Sequence, residues 1–476
     1  MKKEASENKI LENAFFYTLS SIITLVLSFI SVSLLTFLLS TDEYGIVDLF
    51  TSTVSMFTIV LSVSISASIS RYYYENSVNY REFIKSICLF ILIFNGVLTP
   101  FFIVFSSYFS DFLNIDKALY YLIIIGSYIN IFLEFYERHL VASQNSKRHM
   151  FFKVIPSLLN TVISILLILS LRNLNGGYIR VLVIIAVNFL FLLYIVYKAR
   201  GLLKERIKSN NIKMALLFSL PLVLHSLSNY VLTYFDKLVI NQHGNLSNTG
   251  IYSLATRVGE VLLLVVNSVN YSWAPVFYQN NGDYRCVEGV LKKYMQLIVL
   301  LALGIIYYVE NFAKIIISSN YYEALSIIPI LCLGYIMVFL YQIYVNYAIY
   351  RKKTLNITVN TIMAAVLNVV LNYIFIPKYG YQAASYTTLV SYFVLFLLHY
   401  INSKYILKGE VYRLSNMKNE FIFLVIGLII YYLTREFCPN LIILIIIRTV
   451  YIVFLMIKYD IINIVKSFLF SRKKEV

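Results

Sequence analysis

The chain has 476 residues, of which 59% are hydrophobic and only 13% charged, with a mean hydropathy of +0.75; a soluble domain carries about a quarter charged residues. These proportions exclude a water-soluble body. The formal net charge of +16 falls in short clusters between apolar runs, the pattern of loops that face anionic headgroups rather than of a nucleic-acid surface.

In chain order, apolar runs of about 20 residues recur, the length that crosses a bilayer core. The first, residues 14–39, is too long for a signal-peptide core and lacks a small-residue cleavage site, so it is expected to remain as a transmembrane helix. Further spans are expected near 45–70, 84–109, 118–133, 154–171, 178–197, 214–240, 250–278, 294–309, 325–350, 355–376, 381–402, 421–434 and 441–457. The fold class is therefore an all-α polytopic membrane protein with about fourteen transmembrane helices. The last two runs are the shortest and carry Arg435, Glu436 and Arg448. This predicts two six-helix lobes, residues 1–210 and 211–405, followed by a peripheral pair and a tail in 406–476.

Loop charge gives the direction. With the N-terminus inside, the inner tails and loops collect most of the 40 Lys and Arg residues, and the alternation holds across every span. Both termini are expected on the cytoplasmic side of the membrane. No connection approaches the roughly 50 residues of a minimal soluble domain, so function is expected among the helices. Cys88, Cys286, Cys332 and Cys438 are dispersed, without a C-x-x-C pair or a histidine at metal-ligand spacing. No phosphate-binding loop, zinc-hydrolase or serine-hydrolase motif is found; the chain is expected to be no enzyme and to need no cofactor.

An internal repeat accompanies the spans. Tyr44-Gly45-Ile46-Val47-Asp48-Leu49-Phe50-Thr51-Ser52 opens the second and Thr249-Gly250-Ile251-Tyr252-Ser253-Leu254-Ala255-Thr256-Arg257 opens the eighth, an offset of 205. Six spans separate the copies, so the halves are expected to be parallel repeats about an axis along the membrane normal, with substrate held near mid-membrane.

Polar residues inside the spans single out the candidate site, because a charge at membrane depth costs at least a few kcal/mol and faces a cavity or a partner. Arg257, Glu260, Asn267 and Asn270 share one face of the eighth span; His225, Asn229, Thr233 and Asp236 share one face of the seventh, with Lys237 beside them. The offset maps Arg257, Glu260 and Asn267 onto Ser52, Ser55 and Ser62, and the first span adds Ser20, Thr24, Ser28 and Ser31. A cavity flanked by spans one, two, seven and eight is expected, with Arg257 and Lys237 offered to a phosphate. Plainer roles stand beside this one. The hydroxyls can bond their own backbone, Arg257 can neutralise Glu260, Asp236 and Lys237 can snorkel to headgroups, and His225 can be a packing residue. Asn360, Asn368 and Asn372 can bridge helices. Arg71, before Tyr72, Tyr73 and Tyr74, reads as an interface anchor or a gate.

Several stretches resemble one family. They are Leu34 to Asp48 with its Asp42-Glu43-Tyr44-Gly45 turn, Ile69-Ser70-Arg71-Tyr72-Tyr73-Tyr74-Glu75, Tyr234-Phe235-Asp236-Lys237, and Gly250-Ile251-Tyr252-Ser253 through Trp273-Ala274-Pro275-Val276-Phe277-Tyr278. Together they are similar to the polysaccharide-type flippases, the O-antigen and capsule repeat-unit flippases of the multidrug/oligosaccharidyl-lipid/polysaccharide exporter superfamily. Two departures are Ser40-Thr41-Asp42, where members often place a proline, and Lys237, where they often place arginine.

The resemblance implies two lobes like those of multidrug exporters, a central cavity open alternately to each face, and an undecaprenyl-diphosphate-linked oligosaccharide as substrate. Membrane lipids and a polysaccharide polymerase with its chain-length regulator are expected as partners; energy, if used, is expected from a proton or sodium gradient or from consumption of the substrate on the far side, and the placement of the charges argues against nucleic acid. Two other functions remain open. A drug or cation antiporter of the same superfamily would want a more acidic cavity, and a membrane polymerase or glycosyltransferase of the same pathway would want a long outer loop.

Overall fold

The computed structural model describes residues 2–75, 78–409, 411–438 and 440–460. Among these there are sixteen α-helices and no strand. That is the expected answer in hydrocarbon, where each backbone N–H and C=O must be satisfied within its own segment. The helices are α1 (Lys2–Leu38), α2 (Thr41–Leu61), α3 (Ser66–Tyr72), α4 (Tyr80–Val104), α5 (Ser106–Leu113), α6 (Lys117–Ala142), α7 (Ser146–Ser170) and α8 (Gly176–Ala199). After a 3-10 turn follow α9 (Ser209–His243), α10 (Leu246–Gln279), α11 (Glu288–Ile316), α12 (Ile328–Tyr350), α13 (Thr354–Tyr379), α14 (Gln382–Ile401), α15 (Lys418–Phe437) and α16 (Leu441–Lys458).

Each expected span falls on helix, and 13 helices are long and apolar enough to cross a membrane. The chain is a multi-pass membrane protein. α15 is left outside that number although it has 20 residues, because Lys418, Glu420, Arg435 and Glu436 crowd its two ends.

The second span is not one helix. α2 ends at Leu61, and Val63 and Ser64 both take a φ of 51° before α3 begins. Left-handed backbone is costly for a β-branched residue. Two side chains compensate the break: Ser62 Oγ accepts from the Ser64 amide at 3.2 Å, and buried Asn95 donates Nδ2 to the freed Leu61 carbonyl at 3.2 Å.

By contact the described residues form two compact units, one running to Ser253 with Ile376–Tyr381 added, the other Leu254–Phe375 and the residues from Gln382 on. In the first, α1 packs on α7, α6 on α8, and α9 on α2 and α4; Leu49, Phe50, Leu61, Ile87, Ile123 and Leu238 are among its buried apolar core. In the second, α12 packs on α14, and α11 receives α15 and α16. The contact division differs from the expected one after residue 210 in keeping α9 and the start of α10 with the first unit.

Fully buried Arg448 fastens α16. Its Nε donates to Thr434 Oγ1 (3.0 Å), one terminal nitrogen to the Tyr307 carbonyl (2.9 Å) and the other to the Tyr431 carbonyl (3.3 Å), with the Tyr431 ring 4.8 Å from the guanidinium carbon. Every nitrogen of this arginine has an acceptor, and the aromatic face spreads its charge.

Candidate functional site

α2 and α10 start in the same way. Ser40 Oγ accepts from the Glu43 amide (3.2 Å) while Glu43 accepts from the Ser40 amide (2.9 Å), a capping box. At the equivalent place Asn245 Oδ1 accepts from the Asn248 amide (2.8 Å). One turn on, the two helices touch backbone to backbone. A Cβ on Gly45 would lie 2.1 Å from the Leu246 carbonyl oxygen, and a Cβ on Gly250 would lie 2.1 Å from that of Thr41. Only glycine permits so close an approach. The contact is reciprocal, each glycine meeting the residue four before the other, so the sequence offset of 205 returns as an approximate two-fold relation. Thr41 Oγ1 and Ser247 Oγ seal it at 2.6 Å.

Directly after each glycine turn comes a polar residue. Asp48 Oδ2 accepts from Ser253 Oγ at 2.7 Å and forms an ion pair with Lys237 Nζ at 2.6 Å, with the carboxylate and ammonium side chains only 4% and 1% exposed. The Lys237 ammonium also lies 5.2 Å from the Tyr234 ring centre. Asp236 turns to α10, where Tyr252 Oη donates to its Oδ2 at 2.6 Å, and Tyr230 Oη donates to the Ser52 carbonyl at 2.9 Å. Asp48, Asp236, Lys237, Tyr252 and Ser253 are all buried. An ion pair taken out of water needs further stabilisation of its charges; here the Ser253 hydroxyl donates to the carboxylate and the Tyr234 ring lies beside the ammonium.

Several sequence readings change in this geometry. Lys237 and Asp236 do not snorkel; both are buried. Lys237 does not face its neighbour Asp236, because successive helix residues point about 100° apart. Its partner Asp48 escaped the sequence reading, although it is the single acid between Glu43 and Glu75 and sits in the quoted repeat opposite Ser253. Arg257 does meet Glu260, at 3.1 Å, and both remain partly exposed.

The remaining candidates are placed as follows. Asn267 Oδ1 accepts from Gln342 Nε2 and Asn270 Oδ1 from Asn346 Nδ2, each at 2.8 Å, forming an amide ladder from α10 to α12. His225 and Asn229 share a hydrogen bond of 3.0 Å along α9. Ser52 and Ser55 bond back to their own helix, at 2.8 Å to the Asp48 carbonyl and 2.9 Å to that of Thr51. Ser55 also lines a cavity of about 190 Å³ with Thr51, Asn130 and Asn188. Arg71 is exposed, with its guanidinium 5.1 Å from the Phe218 ring.

Comparison with known proteins bears on the whole architecture. The fold matches a solved lipid II flippase MurJ in an inward closed conformation, with a TM-score of 0.74 at 15% identity, covering 96% of this chain and 99% of that one. It also matches the MATE multidrug transporter DinF-BH, with a TM-score of 0.53 at 13% identity, covering 85% and 98%. In sequence it is 21% identical over 384 residues to protein 1 of the Lsg locus of Haemophilus influenzae, covering 76% of this chain and 90% of that protein. Residues 10–281 match the polysaccharide biosynthesis protein family. That match spans more than half of the sequence and shows that the chain belongs to the polysaccharide biosynthesis protein family.

Proposed function

We propose that the protein translocates undecaprenyl-diphosphate-linked oligosaccharide repeat units across the bacterial cytoplasmic membrane for O-antigen, capsule or exopolysaccharide synthesis, by alternating access. The observation that carries this reading is the buried Lys237–Asp48 pair, 2.6 Å apart, at the glycine crossing of α2 and α10. A charge pair at that depth is a poor device for mere stability, since an apolar pair of equal volume holds helices as well. It serves a cycle in which the helices part and the cation finds another anion. A diphosphate is such an anion, and the hydroxyl and amide groups along α2, α9 and α10 suit the sugars.

In this scheme Arg257, paired with Glu260 and partly exposed, is the entry cation, and Asn267, Asn270, His225 and Asn229 line the path. Both termini lie in the cytoplasm, and a proton or sodium gradient drives the return. A polymerase with its chain-length regulator consumes the product on the far side.

The test is a strain lacking the gene. It is expected to accumulate lipid-linked repeat units facing inward, and the wild-type gene to clear them. Arg257→Ala is expected to abolish surface polysaccharide while the protein stays in the membrane at its normal level. Normal polymer in that variant would remove Arg257 from the path, and repeat units exposed outward but unpolymerised in the deletion strain would replace the flippase reading with a polymerase.

A further inference from the structure

The transport scheme leaves Arg180 unused. Arg180 is the fifth residue of α8 and points among α1, α7 and α8. One terminal nitrogen donates to the Asn160 carbonyl and, at 2.9 Å, to Ser164 Oγ; the other reaches Ser31 Oγ only at 3.5 Å. All three acceptors are neutral, and no carboxylate stands within ion-pair distance of Arg180 among the described residues. Its Nε is buried without a partner, as is Asn160 Oδ1 beside it. Arg448 shows what a finished buried arginine looks like in this protein: all three nitrogens are bonded and a ring covers the charge. Arg180 has neither.

The underused donors have a shape. Nε and the nitrogen facing Ser31 form the side edge of the guanidinium, the two-pronged fork that binds carboxylate or phosphate through parallel N–H bonds. The depth is also defined. At 1.5 Å per residue, Arg180 lies about 6 Å from the start of α8, Ser164 about 9 Å from the end of α7 and Ser31 about 10 Å from the end of α1, near where headgroups give way to acyl chains. The side chain is partly exposed. Leu34, one turn after Ser31 on α1, and Leu167, one turn after Ser164 on α7, are exposed and supply an apolar surface for an acyl chain.

An unneutralised cation at this level is unfavourable, and hydrogen bonds to neutral groups do not cancel its charge. We propose that the junction of α1, α7 and α8 is a binding site for the phosphate of a membrane lipid, held by the Nε edge of Arg180 with Ser31 and Ser164 as flanking hydroxyls. A headgroup that joins a phosphate to a hydroxyl would also satisfy Asn160 Oδ1. The site does not rest on the transport scheme, since either a bulk anionic phospholipid or a polyprenyl phosphate carries the required group.

The experiment uses the full-length protein, stripped of lipid in maltoside micelles and titrated separately with phosphatidylglycerol, undecaprenyl phosphate and inorganic phosphate. Thermal unfolding and native mass spectrometry report binding. Saturable stabilisation by phosphatidylglycerol is expected, weakened about tenfold or more in Arg180→Gln, as the loss of a charge-assisted hydrogen bond requires. Ser31→Asp puts a carboxylate opposite the fork. It should raise the unfolding temperature of the lipid-free protein and abolish the lipid response, and it carries the test if Arg180→Gln does not fold. A response to undecaprenyl phosphate alone would assign the site to the polyprenyl source. A response to inorganic phosphate alone, or lipid affinity unchanged in both variants, would overturn the proposal.

Discussion

Lys237 and Asp48 hold each other in place only while both are present. Lys237→Met leaves a buried carboxylate without its counterion, an imbalance worth about 3–5 kcal/mol, so a large drop in unfolding temperature and loss of surface polysaccharide are expected. Adding Asp48→Asn to Lys237→Met should return most of the stability, because the uncompensated charge is gone, yet polysaccharide should remain absent. Thermal unfolding of the two purified variants decides it: a double variant no more stable than the single one means the two residues are not coupled. This pair was only half legible in the sequence. A lysine within an apolar run announces itself, but its partner lies 189 positions away on another helix. The better signal was the repeat, which sets Asp48 opposite Ser253, the residue that donates to it.

Helices were easier to read than their interruptions. The thickness of hydrocarbon dictates runs of about 20 apolar residues, so the long helices could be anticipated from composition. The break between α2 and α3 could not, because Ser62, Val63 and Ser64 scarcely lower the hydropathy of their window while the serine hydroxyls compete for backbone groups. Val63→Gly should relieve the left-handed strain and stabilise the protein by about 1 kcal/mol, read as a higher unfolding temperature. A lower one would mean that the Val63 side chain contributes more in packing than its backbone costs. At the crossing of α2 and α10 the opposite holds. Gly45→Ala and Gly250→Ala each bring a methyl to within 2.1 Å of a carbonyl oxygen, so both should lower the yield of folded protein sharply and to a similar extent. Gly96→Ala, which meets nothing within 4 Å, is the matched control in α4; equal behaviour of all three in size-exclusion profiles would contradict the contact.

Across the chain, the repeat does more than suggest an ancestry. It brings the openings of its two copies together, with like caps, like glycines and facing polar side chains, so that one short sequence pattern is used twice to build one contact. The polar faces of α9 and α10 were visible as periodicities, whereas their partners were not: Gln342 and Asn346, which meet Asn267 and Asn270, lie in an almost wholly apolar helix whose own pattern gives no warning. The same separation in sequence has a consequence for synthesis. At 5–20 residues per second, Asp48 leaves the ribosome about 10–40 s before Lys237, and α2 must be handed into the bilayer with its carboxylate lacking a counterion for all of that interval. The nascent chain therefore depends on the insertion machinery to shelter one acid until the seventh span arrives to claim it.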